Sequence, residues 1–128
     1  MNTALILFAH GSRNSAWKEP FERIAQTVRE QSTARVELAF LELMTPTLPD
    51  VMQQLTNDGV QQFTIVPLFF GLGNHVSRDL QDLVHAFASQ HPQVKIHVSP
   101  PLGESAAVLQ AMAHYAMEQA NPLNSNQS

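Results

Sequence analysis

Apolar and polar positions along this chain follow two rhythms in alternation. Thr3 to Ala9 is a continuous apolar run of strand length, the pattern of a strand buried on both faces. Phe21, Ile24, Ala25 and Val28 then fall at i, i+3, i+4 and i+7, the stripe of an amphipathic helix. That helix starts near Ser15 or Ala16, because Pro20 loses little in a first turn whose N–H groups have no intrahelical partner, and it fades through Gln31-Ser32-Thr33. Arg35 to Glu42, with Val36, Leu38 and Phe40 alternating, is a second strand. Prolines in Leu43-Met44-Thr45-Pro46-Thr47-Leu48-Pro49 stop it, and Thr47 caps a helix through about Asn57 that carries Val51, Met52 and Leu55 on one face.

The alternation continues to the end of the chain. Gln62 to Phe69 is a third strand, with Pro67 at its end or at an irregularity because proline lacks a ladder donor. Leu80, Leu83, Val84 and Phe87 repeat the helical stripe, with Asp79 in the first turn, where a negative charge favours the helix dipole, and His91-Pro92 as the stop. Val94 to Val98 is a fourth strand. A last helix from about Glu104 to Ala120 turns Val108, Leu109, Met112 and Ala116 inward, and Asn121 to Ser128 is a polar tail expected to fray. The order β-α-β-α-β-α-β-α specifies one α/β domain over residues 1–120, with a mainly parallel four-stranded sheet, helices on both faces and right-handed crossovers.

In such sheets ligands bind beyond the carboxyl ends of the strands. His10, Thr45, the Phe70–His75 loop and Pro100-Pro101 all lie there, on one rim. His10 and His75 occupy matching strand-to-helix turns. Neutral imidazole is a common metal ligand and the side chain best suited to proton transfer near neutral pH. Two of them on adjacent strand ends suit a divalent metal with open coordination positions, or one metal ligand and one proton acceptor; the plainer alternative is that each merely caps a turn. Gly71 and Gly73 let backbone N–H groups approach a bulky or anionic ligand, but their spacing is not that of a nucleotide fingerprint. Glu42 ends its strand on the same rim, as a ligand, a proton acceptor or an ordinary exposed carboxylate. Ser12, Arg13 and Arg78 are available to carboxylates of a ligand. His85, His91, His97 and His114 sit in ordinary helix and strand positions, and Trp17 and Tyr115 are packing residues.

Composition narrows the partners. The net charge of −4, without a basic run, argues against nucleic acid and anionic membrane. The absence of cysteine removes disulfides, thiolate metal sites and iron–sulfur clusters. No apolar stretch approaches the ~20 residues of a membrane span, and Leu5 to Ala9 is too short for a leader, so a cytoplasmic protein is expected. Only 14% of residues are charged, against ~25% in typical soluble domains, which fits a surface partly covered by self-association and equally a merely polar, Gln- and Asn-rich one.

His10-Gly11-Ser12-Arg13, Ala39-Phe40-Leu41-Glu42 with its following prolines, and Val66-Pro67-Leu68-Phe69 running into Gly73-Asn74-His75-Val76-Ser77-Arg78-Asp79-Leu80 together resemble the short-form sirohydrochlorin chelatases. These small class II chelatases insert cobalt, and in relatives iron or nickel, into sirohydrochlorin. The resemblance spans roughly residues 3 to 120 and implies a flavodoxin-like, chelatase-type fold. It implies a homodimer around a tetrapyrrole cleft, because longer relatives contain two such halves. It also implies His10 as metal ligand and proton acceptor, His75 as second metal ligand, and substrate contacts from Met44, Thr45, Phe70, Gly71, Leu72, Gly73, Asn74 and His75. Phe69, Phe70 and Leu72 would stack on or bend the macrocycle. The metal is a substrate and no resident cofactor is expected. Gln81 stands where many members have proline, and the histidine-rich segment of some members is absent. A non-catalytic metal or tetrapyrrole carrier is the alternative. A phosphotransfer or hydrolase domain with His10 as nucleophile would leave His75 without a task.

Overall fold

The computed structural model describes residues 3–125, with side chains to residue 120. Four parallel strands, β1 (Thr3–Ala9), β2 (Arg35–Phe40), β3 (Gln62–Pro67) and β4 (Lys95–Val98), form one sheet in the order β2-β1-β3-β4. Between and after them run α1 (Glu19–Gln31), α2 (Leu48–Asn57), α3 (Asn74–Gln90) and α4 (Ala106–Ser125). The parallel α/β architecture is the expected one.

The uninterrupted apolar run of β1 is explained by two cores. Ala4, Ile6 and Phe8 face one layer with α2 residues Val51, Met52 and Leu55, against which Leu83, Val84 and Phe87 of α3 pack. Leu7 and Ala9 face the opposite layer with Ala25, Phe21 and Val28 of α1. The central strand therefore has no solvent face to reserve for polar residues. Trp17 packs on Phe21 with ring centroids 4.4 Å apart, as expected of a packing residue.

Most boundaries follow from local chemistry. Ser15–Lys18 is a 3₁₀ turn, capped by the Asn14 side chain, that leads into α1 with Pro20 in its first turn. Thr47 caps α2 by accepting from the Asp50 N–H at 3.3 Å. Pro67 ends β3, so Leu68 and Phe69 leave the strand that was expected to include them. β2 likewise stops at Phe40, two residues short of Glu42.

Two expectations are corrected. α3 begins at Asn74, so His75 lies in its first turn and Asp79 beyond it. Gly73 is the N-cap without a side-chain bond, so the usual Ser/Thr/Asp start signal is missing. The inward face assigned to α4 does not pack: between Ala106 and Ala120 only Val108 is half-buried, and Leu109, Met112 and Ala116 are exposed. Tyr115, expected to pack, is exposed with them. α4 also continues past Ala120 to Ser125, while the side chains of the expected tail, and residues 126–128 altogether, lie outside the described residues.

Thr47→Ala removes the α2 cap and should lower stability by about 1 kcal/mol, with Thr47→Ser retaining most of it. Denaturant unfolding midpoints check this, and an unchanged midpoint for the alanine variant would show that the cap contributes nothing.

Candidate functional site

The site grows out of the β1–β2 register. Ala9 lies opposite Phe40, and the ladder runs on past both strands: the Leu41 N–H donates to the Ala9 carbonyl at 2.9 Å, and the Glu42 N–H to the His10 carbonyl at 3.1 Å. That backbone pairing carries the two side chains together. His10 Nε2 stands 3.1 Å from Glu42 Oε1, with both side chains about half exposed (53% and 55%) at the carboxyl rim. Glu42 is thus a partner of His10 rather than an isolated strand-end carboxylate. With Nε2 on the carboxylate side, Nδ1 is the ring nitrogen left for a metal or a proton.

Gly11 makes this approach possible. Its φ is +100°, and a methyl group there would run into the Glu42 carbonyl oxygen. On the other flank, the Leu68 N–H donates to the Phe8 carbonyl at 2.8 Å, which draws the β3 exit alongside β1. Phe69 then meets the His10 imidazole edge-on at 5.7 Å and stacks on Phe8 at 5.6 Å.

The Phe69–Asn74 loop divides into anchored and free residues. Phe69 and Leu72 are partly buried against the core, and Leu72 also lines an open cavity. Phe70 alone projects, 59% exposed. Gly71 and Gly73 have open space around them and no left-handed φ, so they provide room rather than unusual backbone geometry. Leu102 and Gly103 hold this loop from below: their N–H groups donate to the Phe69 and Phe70 carbonyls at 2.9 and 2.6 Å. An open cavity of about 490 Å³ lies here, between Phe70–Leu72, Ser77 and Pro101–Glu104. Asn74 and His75 are exposed in the first turn of α3 at the same rim.

Across the rim, Met44 packs half-buried on the α1-side core, whereas Thr45 is exposed. Leu43, which the sequence did not single out, has φ 67° and is 56% exposed beside Glu42. A leucine held in left-handed backbone and turned to water is costly twice over, and such positions gather at ligand sites. Arg13 and Arg78 are exposed and make no ion pair among the described residues. Also among the described residues, no three His, Asp or Glu side chains converge on one point. The structure brings His10 and Glu42 together and leaves His75 outside that pair.

This arrangement has relatives. The family model CbiX matches residues 4–119. The chain belongs to the CbiX family. It is 33% identical over 82 residues to the sirohydrochlorin cobaltochelatase of Methanococcus aeolicus, a match covering 63% of this chain and 57% of the relative. It is 26% identical over 115 residues to the sirohydrochlorin ferrochelatase of Bacillus subtilis, covering 89% of this chain and 44% of that one. The crystal structure named as a cobalamin (vitamin B12) biosynthesis CbiX protein of Marinobacter aquaeolei VT8 superposes with a TM-score of 0.84 at 30% identity, covering 94% of this chain and 98% of that one. Matches to the curated relatives thus span about half of their length.

Gly11→Ala should cost about 1–3 kcal/mol of stability through its φ and its clash with the Glu42 carbonyl. Gly71→Ala, with nothing near it, is the control. Equal unfolding midpoints for the two variants would contradict the assigned backbone contact.

Proposed function

We propose that this protein inserts a divalent metal into sirohydrochlorin, cobalt most readily and iron next, as a cytoplasmic homodimer in cobalamin or siroheme formation. The observation that carries the reading is the His10–Glu42 pair at 3.1 Å, open to solvent, with the Phe69 ring edge-on to the imidazole at 5.7 Å. Membership of CbiX and the activities in the names of the relatives support the substrate class. That no helix among the described residues is long and apolar enough to cross a membrane agrees with the location.

Metal insertion makes two demands. The metal must be held loosely enough to be handed on, and two pyrrole N–H protons must leave as it enters. His10 Nδ1 and an imidazole nitrogen of His75 supply two nitrogen ligands and leave other positions open, a set that suits cobalt, iron or nickel without holding any of them for good. Glu42 keeps the His10 ring and its tautomer oriented. As the metal passes to the macrocycle, the freed His10 nitrogen accepts one pyrrole proton, the half-exposed Glu42 carboxylate relays it to water, and the second pyrrole proton leaves by the same route. The flat, apolar part of the tetrapyrrole lies against Phe70 and Leu43, with Thr45, Gly71, Leu72, Gly73 and Asn74 around its edge. Its carboxylates suit the free N–H groups at the start of α3 and the side chains of Arg13 and Arg78. A stoichiometric metal or tetrapyrrole carrier would use the same surface but would not turn over.

Multiple-turnover metallation of sirohydrochlorin, followed by its absorption change with cobalt, iron and nickel in competition, tests this. His10→Ala should lose about 100-fold or more in rate, as expected for removal of a proton acceptor that is also a ligand. His75→Ala should bind cobalt more weakly, and Glu42→Gln should lower kcat with KM little changed. A wild-type protein that stops after one equivalent is a carrier, and a fully active His10→Ala variant removes that residue from the chemistry.

A further inference from the structure

The fold gives Leu43 no reason to be a leucine. Its φ is 67°, in the left-handed region where the Cβ of an ordinary residue crowds the following carbonyl and where glycine, asparagine or aspartate usually stand. Its side chain is more than half exposed and belongs to neither core, although Leu41 and Met44 around it each pack on one. The turn is closed by other groups: the Glu42 N–H donates to the His10 carbonyl at 3.1 Å, and the Phe40 N–H to the Pro46 carbonyl at 2.9 Å. A glycine would hold the same backbone without strain and leave no apolar surface in water. Whatever the leucine contributes is made outside the free chain.

Its place on the rim says where. Leu43 follows Glu42, the partner of His10, at the β2 exit. In the sheet order β2-β1-β3-β4, His10 comes next at the β1 exit, and Phe69 and Phe70 follow at the β3 exit. Neighbouring strands lie about 4.8 Å apart, so the β2 and β3 exits are about 10 Å apart with His10 between them. Phe70 is exposed as well, and its carbonyl is held by the Gly103 N–H at 2.6 Å. The other large exposed apolar side chains among the described residues lie on α1 and α4; Leu43 and Phe70 are the two in loops at the carboxyl rim. One apolar side chain thus stands on each flank of the imidazole. A flat ring system resting on both has its centre over His10.

Resting on the tetrapyrrole reading above, we infer that Leu43 is the substrate contact that holds the macrocycle from the β2 side, opposite Phe70, so that the ring lies over His10. In the free protein its exposed carbon surface and its backbone conformation both oppose folding. In the complex that surface leaves water against the face of the ring. Stability and substrate binding therefore pull in opposite directions at this residue, a conflict that a leucine serving the fold would not show.

Leu43→Gly separates the two roles, because it relaxes the backbone and removes the contact together. Leu43→Asn tolerates the same φ with a polar side chain, and Leu43→Met keeps an apolar one. Denaturant unfolding, cobalt binding to the free protein, and titration of metal-free sirohydrochlorin followed by its absorption are measured for each. The glycine variant should unfold at a higher midpoint than wild type. Glycine and asparagine variants should bind cobalt as wild type does and hold the tetrapyrrole about tenfold more weakly, while the methionine variant matches wild type throughout. A glycine variant less stable than wild type means that the side chain serves the fold, and unchanged tetrapyrrole affinity means that it touches no substrate. A parallel loss of cobalt binding puts the effect at Glu42; each of these results overturns the contact. The titration needs no turnover. A wild type that binds the ring in this way and never metallates it removes the chelatase reading and leaves the contact standing, whereas a wild type that turns over, with unchanged ring binding in the glycine variant, does the reverse.

Discussion

The site depends on a backbone pairing that outlasts its strands. β1 and β2 end at Ala9 and Phe40, yet the Leu41 and Glu42 N–H groups go on donating to the Ala9 and His10 carbonyls. This extension sets Glu42 against His10, and only a residue without Cβ fits between them, which is why Gly11 stands there at φ +100°. The chemistry attributed to His10 needs an oriented ring with one nitrogen free. A solvent-exposed ion pair by itself contributes little to stability, so the ladder beneath brings the two side chains together and the carboxylate orients the ring without adding much to the fold's stability.

A second set of backbone bonds does the same work on the other flank of the same rim. Leu68 donates to Phe8, and Leu102 and Gly103 donate to Phe69 and Phe70. Phe69 is thereby packed between the core and His10, while Phe70 is left free at the edge of the open cavity. Gly103 is the counterpart of Gly11: a side chain there would collide with the Phe70 carbonyl oxygen. The two glycines that matter most to the geometry are therefore not the pair within the loop, Gly71 and Gly73, but the pair that lets neighbouring backbones close on it.

The legible part of the fold was what periodicity reports. β1, the α1 stripe and the Thr47 cap stand where the residues put them, because each has a local cause. The start of α3 was not legible: Gly73 offers no capping side chain, and the polar run Asn74 to Asp79 has no apolar stripe to mark it as helix. The site was legible as two imidazoles and a carboxylate on one rim, since that needs only strand direction. The His10–Glu42 contact requires the β1–β2 register, and the left-handed Leu43 requires the turn after it; neither leaves a sequence signal. The inward face of α4 was right about apolarity and wrong about packing, since a stripe marks an apolar face and does not say what that face meets.

The central claim is that His10, oriented by Glu42, receives the metal through its free nitrogen and shares it with His75. Crystals of the protein loaded with cobalt, measured on either side of the cobalt absorption edge, address it directly. The account predicts an anomalous peak at about 2.1 Å from His10 Nδ1, the bond length usual for imidazole nitrogen on such metals, with a His75 nitrogen in the same coordination sphere. Cobalt bound at other side chains, with the His10 nitrogen unliganded at full occupancy, would contradict it.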